Sequence, residues 1–482
     1  MNRPILRLYM LVLVLFGLLV AFTSRWTIFE ASSLRENPLN KRALIEQEHV
    51  QRGAILAADG TVLARSVRTR EGTYERTYPT GEEFAQAIGY SYPLSLDRTG
   101  LERYRNAPLS GQRQSDLQSI LDQFQGRPEK GNEVITTLDP AAQRAALADL
   151  GAHQGAVVAL VPSTGAVRVM ASTPSYDPNA LRSSAATEKL KADSEAPLLN
   201  RAVQYGYAPG STFKVLTATA AIDTGKFTPS STLSGRNGIV VSGVPLSNDQ
   251  NESFGELTLT QALAKSVNTV WAQVAEQVGK PTLARYMRRF GFDAKPQLDY
   301  PAEEMSASGE YEDQRGGERL LSPLSPLVDV GRMGIGQDKL RVTALQMAEV
   351  AAAVANHGRL MVPHLTARIV NPEGRVVQQI SPRVQSVVMK PSTATAVTSM
   401  MEAVVNEGTG ENARIPGVQV AGKTGTAETQ IGSALNNVWF IAFAPAANPT
   451  VAIAVTVKGV PGYGATYALP IARHVMEVLL HE

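Results

Sequence analysis

Three short strings, Ser211-Thr212-Phe213-Lys214, Ser266-Val267-Asn268 and Lys423-Thr424-Gly425, stand in this order, and each occurs once. No other serine is followed by a lysine three places on. A serine hydroxyl is a weak nucleophile at its own pKa and needs a base within hydrogen-bond reach. Residues i and i+3 of a helix share a face, which predicts the Lys214 amine beside the Ser211 hydroxyl. Ala208-Pro209-Gly210 breaks the chain ahead of an Ala-rich, helix-compatible stretch from 212 to 222 that stops at Gly225. Ser211 is therefore expected at a helix N-terminus, where unpaired backbone N–H groups favour negative charge developing on a bound carbonyl.

Each string also has a plainer reading. A Ser-x-x-Lys at the start of a helix can be a cap and a solvated lysine. Ser266-Val267-Asn268 falls inside 257–278, a helical pattern in which it would be a polar turn, and Lys423-Thr424-Gly425 could end an ordinary strand. Their joint order favours chemistry. For Lys214 to act as a base it must be neutral part of the time, and burial and a second cation, Lys423, would both push its pKa down. Residues 417–428 alternate partly as a strand does and then run into small residues, which predicts an edge strand beside the serine. Such a strand can pair with an extended peptide, while Thr424 and Thr426 offer hydroxyls and Lys423 a charge to a terminal carboxylate. The backbone N–H groups of Ser211 and Thr426 are the candidate oxyanion donors.

At the N-terminus, Arg3 and Arg7 precede an uncharged apolar run from residue 8 to 24, a length between a signal peptide and a short membrane helix. Trp26 at its exit and the lack of a clear A-x-A site favour an uncleaved anchor, and arginines on its leading side place the N-terminus inside and the remainder outside. The net charge of +2 and the absence of a basic block give nucleic-acid binding no support. With no cysteines, disulfides and thiolate metal sites are impossible, and the six histidines form no ligand spacing.

S-x-x-K, S-x-N and K-T-G in this order are the signature of penicillin-binding proteins and class A β-lactamases, with Val267 where β-lactamases commonly carry Asp. The chain resembles a class B penicillin-binding protein, a membrane-anchored peptidoglycan D,D-transpeptidase, and most of all the short actinobacterial-type PbpA group. Thr137-Leu138-Asp139, Gly155-Ala156-Val157-Val158-Ala159, Ser175-Tyr176-Asp177-Pro178-Asn179, Asn200-Arg201-Ala202 and Gly334-Ile335-Gly336-Gln337 carry the likeness beyond the three strings. The resemblance implies an α+β architecture with the penicilloyl-serine transferase fold, an antiparallel sheet flanked by helices. It implies a stub and transmembrane signal-anchor over 1–26, an elongated pedestal of dimerisation type over 27–152 and a transpeptidase domain over 153–482. Ser211 would attack the D-Ala-D-Ala bond of a donor stem peptide, Lys214 would accept its proton and Ser266 would relay a proton to the leaving D-alanine. Asn268 would hold a substrate amide, and Lys423, Thr424, Gly425 and Thr426 would line the place of its terminal carboxylate. β-Lactams would acylate the same serine. No cofactor or metal is implied, and the implied partners are stem peptides, the membrane and a polytopic glycosyltransferase of the shape, elongation, division and sporulation (SEDS) family.

Other classes fit less well. A class A β-lactamase would carry a deacylating glutamate in an E-x-x-L-N segment, and none lies between Ser266 and Lys423. A signalling β-lactam receptor would need a cytoplasmic effector portion, for which the stub before residue 8 is too short. A partner-activating scaffold would tolerate loss of Ser211. Roughly 125 residues between the anchor and Gly155 are too few for a separate glycosyltransferase domain. In the pattern along the chain, 52–64 reads as two strands around Asp59-Gly60 and 155–172 as a hairpin around Ser163-Thr164-Gly165. Further strands are expected at 418–426, 438–444 and 451–458, helices at 343–355 and 469–480, and a polar loop at 183–195.

Overall fold

The computed structural model describes residues 3–25, 48–92, 97–111, 130–315, 317–429 and 433–481. Trp26, read above as an interfacial aromatic, and the first residues of the expected pedestal lie outside them. The apolar N-terminal run forms one helix, Arg3–Ser24, with a mean hydropathy of 2.6 over an 18-residue stretch and no residue buried by the protein.

The centre of the C-terminal part is a five-stranded antiparallel sheet in the order Ala421–Glu428, Asn436–Ala444, Val451–Val460, Gly155–Leu160, Val167–Thr173. Its inner strands are near-continuous apolar runs rather than alternating ones, which fits a sheet covered on both faces. Helices Pro140–Leu150 and Ala468–Leu480 cover one face. Helix Ala344–Ala355, buried along its whole length, covers the other, with Lys214–Asp223 and Pro391–Glu407 packed beyond it. The Glu349 carboxyl inside that buried helix is pushed up to about 8 by burial, so at neutral pH it is mainly protonated.

The strand that carries Lys423-Thr424-Gly425 starts at 421 instead of 418, because Val418 N–H turns back to Ile415 O and Gly417 is left-handed (φ 75°). The expected polar loop at 183–195 contains a helix, Ser184–Ala192, capped by the Ser183 hydroxyl. It buries no residue, so no apolar periodicity announced it.

The Asp59-Gly60 turn joins the strands at 55 and 62 as expected, with Ile55 facing Ala64. They belong to a six-stranded sheet ordered Val376–Gln379, Thr366–Val370, Glu133–Thr136, Ile55–Leu56, Val62–Arg68, Tyr74–Thr77. Two of its strands come from far downstream, so the N-terminal part completes its sheet with residues from the C-terminal part. Arg105 Nη2 adds an ion pair to Asp299 (2.9 Å), whose carboxylate also accepts from the Leu365 and Thr366 N–H groups.

The N-terminal part is organised around Glu102, whose carboxylate is wholly buried and accepts from Arg52 Nε and Arg76 Nε, both at 2.6 Å. Burial pushes this carboxyl up, but the two guanidinium groups outweigh it and hold the net value below the usual range. Removing one member of a buried ion cluster leaves the others uncompensated. Glu102→Gln is expected to cost about 3–5 kcal/mol, read as a lowered urea midpoint of the detergent-solubilised full chain.

Candidate active site

Gly210 enters a single 3₁₀ turn, Gly210–Phe213, that leads into the α-helix Lys214–Asp223. Ser211 thus sits in the turn that opens the helix, two residues further outside the α-helical segment than its spacing suggested. Thr212 Oγ1 ties the turn to Pro209 O at 2.8 Å. The far end of the helix is fixed by Asp223, which accepts from Tyr286 OH (2.5 Å), Thr393 Oγ1 and Lys390 N–H (both 2.8 Å).

Strand Ala421–Glu428 is the sheet edge and runs directly against this turn. The approach is so close that a Cβ on Gly210 would lie 2.4 Å from Thr426 O, and one on Gly425 2.7 Å from Pro209 O. Gly210 is also left-handed (φ 53°). Trp439 on the neighbouring strand donates its indole N–H to Ala208 O at 2.9 Å, which pins the chain ahead of the turn.

The helical pattern at 257–278 is broken in two. Helix Leu259–Ala264 ends, Ser266 adopts a left-handed backbone (φ 58°), and helix Asn268–Val278 begins. This kink turns the Ser266 carbonyl, the Ser266 hydroxyl and the Asn268 side chain towards Lys214. Lys214 Nζ donates to Ser266 O and to Asn268 Oδ1, both at 2.7 Å, and lies 3.4 Å from Ser266 Oγ. Lys423 Nζ donates to the same Ser266 Oγ at 3.0 Å and to Thr424 O at 2.9 Å. One hydroxyl therefore joins two buried amines that are far apart in the chain.

The expected bond between Lys214 and Ser211 is not made. The lysine's donors are taken by Ser266 and Asn268, and among the described residues the half-buried Ser211 hydroxyl has no hydrogen-bond partner. Catalytic hydrogen bonds are often long in an unliganded enzyme and tighten when substrate binds.

Both amines are fully buried. Burial first, and the Lys423 charge second, push Lys214 well below the usual lysine range, against a smaller opposing pull from Asp249. Burial pushes Lys423 down to about 7. The site thus contains an amine able to be neutral at physiological pH near a serine, and a second amine poised to lose or keep its charge. Such a pair can accept a hydroxyl proton and hold an anion.

Lys214, Ser266, Asn268 and Lys423 converge through these bonds, the turn that bears Ser211 packs on the edge strand, and Thr424, Gly425 and Thr426 continue along that strand. Thr424 Oγ1 shares a short 2.6 Å contact with Thr409 Oγ1, and Thr426 Oγ1 accepts from Gly464 N–H at 3.3 Å. Thr409, Gly464 and Asn248 escaped the sequence reading. Asn248 caps the second helix through Thr269 N–H, and the polar run Ser247-Asn248-Asp249-Gln250-Asn251 was the available signal.

Gly210→Ala is expected to destabilise the protein by more than 2 kcal/mol, since strain at the left-handed position adds to a backbone collision. Gly225→Ala, also left-handed but with nothing near its Cβ, is expected to cost about 1–2 kcal/mol. Thermal unfolding of the two variants checks the difference.

Comparison with known proteins identifies the family of the chain. Residues 155–477 match the penicillin binding protein transpeptidase domain, and residues 52–134 match the penicillin binding protein A dimerisation domain. The chain is 35% identical to the peptidoglycan D,D-transpeptidase PbpA of Mycolicibacterium smegmatis, over 100% of both chains. The penicillin G acyl-enzyme complex of penicillin-binding protein A from M. tuberculosis superposes with a TM-score of 0.79 at 33% identity, over 89% of this chain and 100% of that one. Penicillin-binding protein 2 of Pseudomonas aeruginosa gives a TM-score of 0.71 at 28% identity, over 90% and 97%. Full-length identity, two matched domains and a shared fold together mean that this chain belongs to the class B penicillin-binding proteins, in the PbpA family of peptidoglycan D,D-transpeptidases.

Proposed function

We propose that Ser211 is the residue on which this D,D-transpeptidase carries its acyl group. Ser211 Oγ attacks the carbonyl carbon between the two D-alanines of a donor stem peptide, and neutral Lys214 takes the hydroxyl proton. The backbone N–H groups of Ser211 and Thr426 hold the oxyanion. Ser266 passes a proton to the nitrogen of the departing D-alanine as the C–N bond breaks. An amine of a neighbouring stem then attacks the ester, forms the cross-link and frees Ser211. Asn268 holds a substrate amide, and Lys423, Thr424, Gly425 and Thr426 receive the terminal carboxylate. β-Lactams enter by the same route and leave a covalent adduct on Ser211.

The observation that carries this reading is the Ser266 hydroxyl lying between two buried lysine amines, which supplies a proton path from Lys214 towards the carboxylate side of the cleft. Arg3 and Arg7 in the opening turns of helix Arg3–Ser24, ahead of the uncharged run from residue 8, and the exposed apolar surface of that helix support a single-pass signal-anchor over 1–26 with the N-terminus cytoplasmic. Residues 27–152 then form the pedestal and 153–482 the transpeptidase domain, although helix Pro140–Leu150 packs on the sheet of the latter. The anchor and pedestal are the surfaces offered to a polytopic glycosyltransferase of the SEDS family.

Intact-mass measurement after exposure to benzylpenicillin tests the assignment. A single adduct that persists for many minutes in the wild type and is absent in Ser211→Ala is expected. An adduct that forms and clears while drug is consumed would mean a hydrolase. The pH dependence follows from Lys423. Its pKa is depressed, so the charge that receives the carboxylate is present below about 7 and lost as pH rises through that value. The second-order acylation rate is expected to fall on the alkaline side with a midpoint near 7, as a property of the coupled lysine pair. Lys423→Arg, which cannot deprotonate, should abolish that descending limb even if it lowers the maximum rate.

A further inference from the structure

Two segments stand as walls beside the elements that carry Asn268 and Thr426. On one, Ser247 O accepts from Asn268 Nδ2 (3.3 Å) and Asn248 Oδ1 accepts from Thr269 N–H (2.9 Å), which ties residues 247–251 to the start of helix Asn268–Val278. On the other, Gly464 N–H donates to Thr426 Oγ1 (3.3 Å) and Asn436 Nδ2 to Gly462 O (2.9 Å), which ties residues 461–467 to the edge strand and its neighbour. Gln250 Nε2 of the first wall donates to Tyr463 OH of the second at 3.3 Å. Gln250 is exposed, and Tyr463 is 41% exposed. Gln250 stands three residues from the carbonyl that holds Asn268, and Tyr463 stands next to the residue that holds Thr426. The bond therefore joins the segment that holds Asn268 to the segment that holds Thr426.

The backbone on the first wall favours a segment with two arrangements. Gln250 (φ 50°, ψ 21°) and Asn251 (φ 56°) are both left-handed. Asparagine tolerates that region, whereas glutamine gains nothing from it locally, and strain of this kind concentrates at clamps and switches. The bond that holds the strained turn across the cleft is a single exposed contact between neutral groups, weak enough for an entering ligand to displace.

We propose that Gln250 and Tyr463 form a clasp over the cleft, which selects acylating ligands by the size of the group projecting from their acyl side. A compact ligand reaches Ser211 with the clasp closed, and a bulky one must first break it. This inference rests on Ser211 being the acylated residue. It adds specificity-determining residues outside the three strings.

The test uses two β-lactams with the same nucleus, 6-aminopenicillanic acid and piperacillin, on the detergent-solubilised full chain. Second-order acylation rates are measured for the wild type, Gln250→Ala, Tyr463→Phe and the double variant. Each single variant is expected to raise the piperacillin-to-6-aminopenicillanic acid rate ratio by about two- to tenfold, the range for losing one such bond. The double variant is expected to raise it no further, because both substitutions remove the same contact. An unchanged ratio overturns the clasp, including the case in which both rates fall together because the fold is disturbed. Additive effects in the double variant overturn it as well. Absence of any adduct on Ser211 in the wild type overturns the acylation reading and the clasp with it, whereas an adduct with an unchanged ratio overturns the clasp alone.

Discussion

Two lysine amines buried around one serine hydroxyl set the terms for the rest of the molecule. A charged amine taken out of water is costly unless its donors are met, and two like charges near each other add to the cost. The structure meets the donors with oxygens rather than with a carboxylate: Ser266 O and Asn268 Oδ1 for Lys214, Ser266 Oγ and Thr424 O for Lys423. A neutralising carboxylate in contact would have held the amines charged. Carbonyl and hydroxyl acceptors satisfy the hydrogen bonds while leaving the pKa values low, and the chemistry needs that combination.

That arrangement demands precise placement of three segments from distant parts of the chain, and the scaffold supplies it through close backbone approach. The turn bearing Ser211 touches the edge strand where Gly210 and Gly425 leave no room for a Cβ. The helix behind it is anchored at its far end by Asp223, which gathers donors from two other helical regions. The fully buried helix Ala344–Ala355 fills the space between this layer and the sheet. The N-terminal part is not a detached module. It borrows strands Thr366–Val370 and Val376–Gln379 and adds the Arg105–Asp299 pair, so its orientation is coupled to the domain that carries the site.

Much of this was legible residue by residue. The apolar runs at 155–160, 438–444 and 451–458 announced buried strands, and the helix expected at 343–355 is present as Ala344–Ala355, with Thr343 as its cap rather than its first residue. The low pKa of Lys214 and the part Lys423 plays in it also followed from two lysines in one site. The misses have a common origin. Helix Ser184–Ala192 lies on the surface without an apolar face, and the kink at Ser266 is imposed by packing on a stretch whose periodicity reads as one helix.

The sequence by itself determined the three strings that supply the candidate reactive groups, their order, the apolar N-terminal helix and the helix-and-strand alternation, because each rests on local spacing or composition. Tertiary structure alone decided that Lys214 bonds to Ser266 and Asn268 instead of Ser211, that the N-terminal sheet is completed by residues 366–379, and that Gln250 meets Tyr463 across the cleft. Those outcomes join segments far apart in the chain. They depend on which surfaces the packed sheet and helices bring within hydrogen-bonding distance, and no local pattern encodes that.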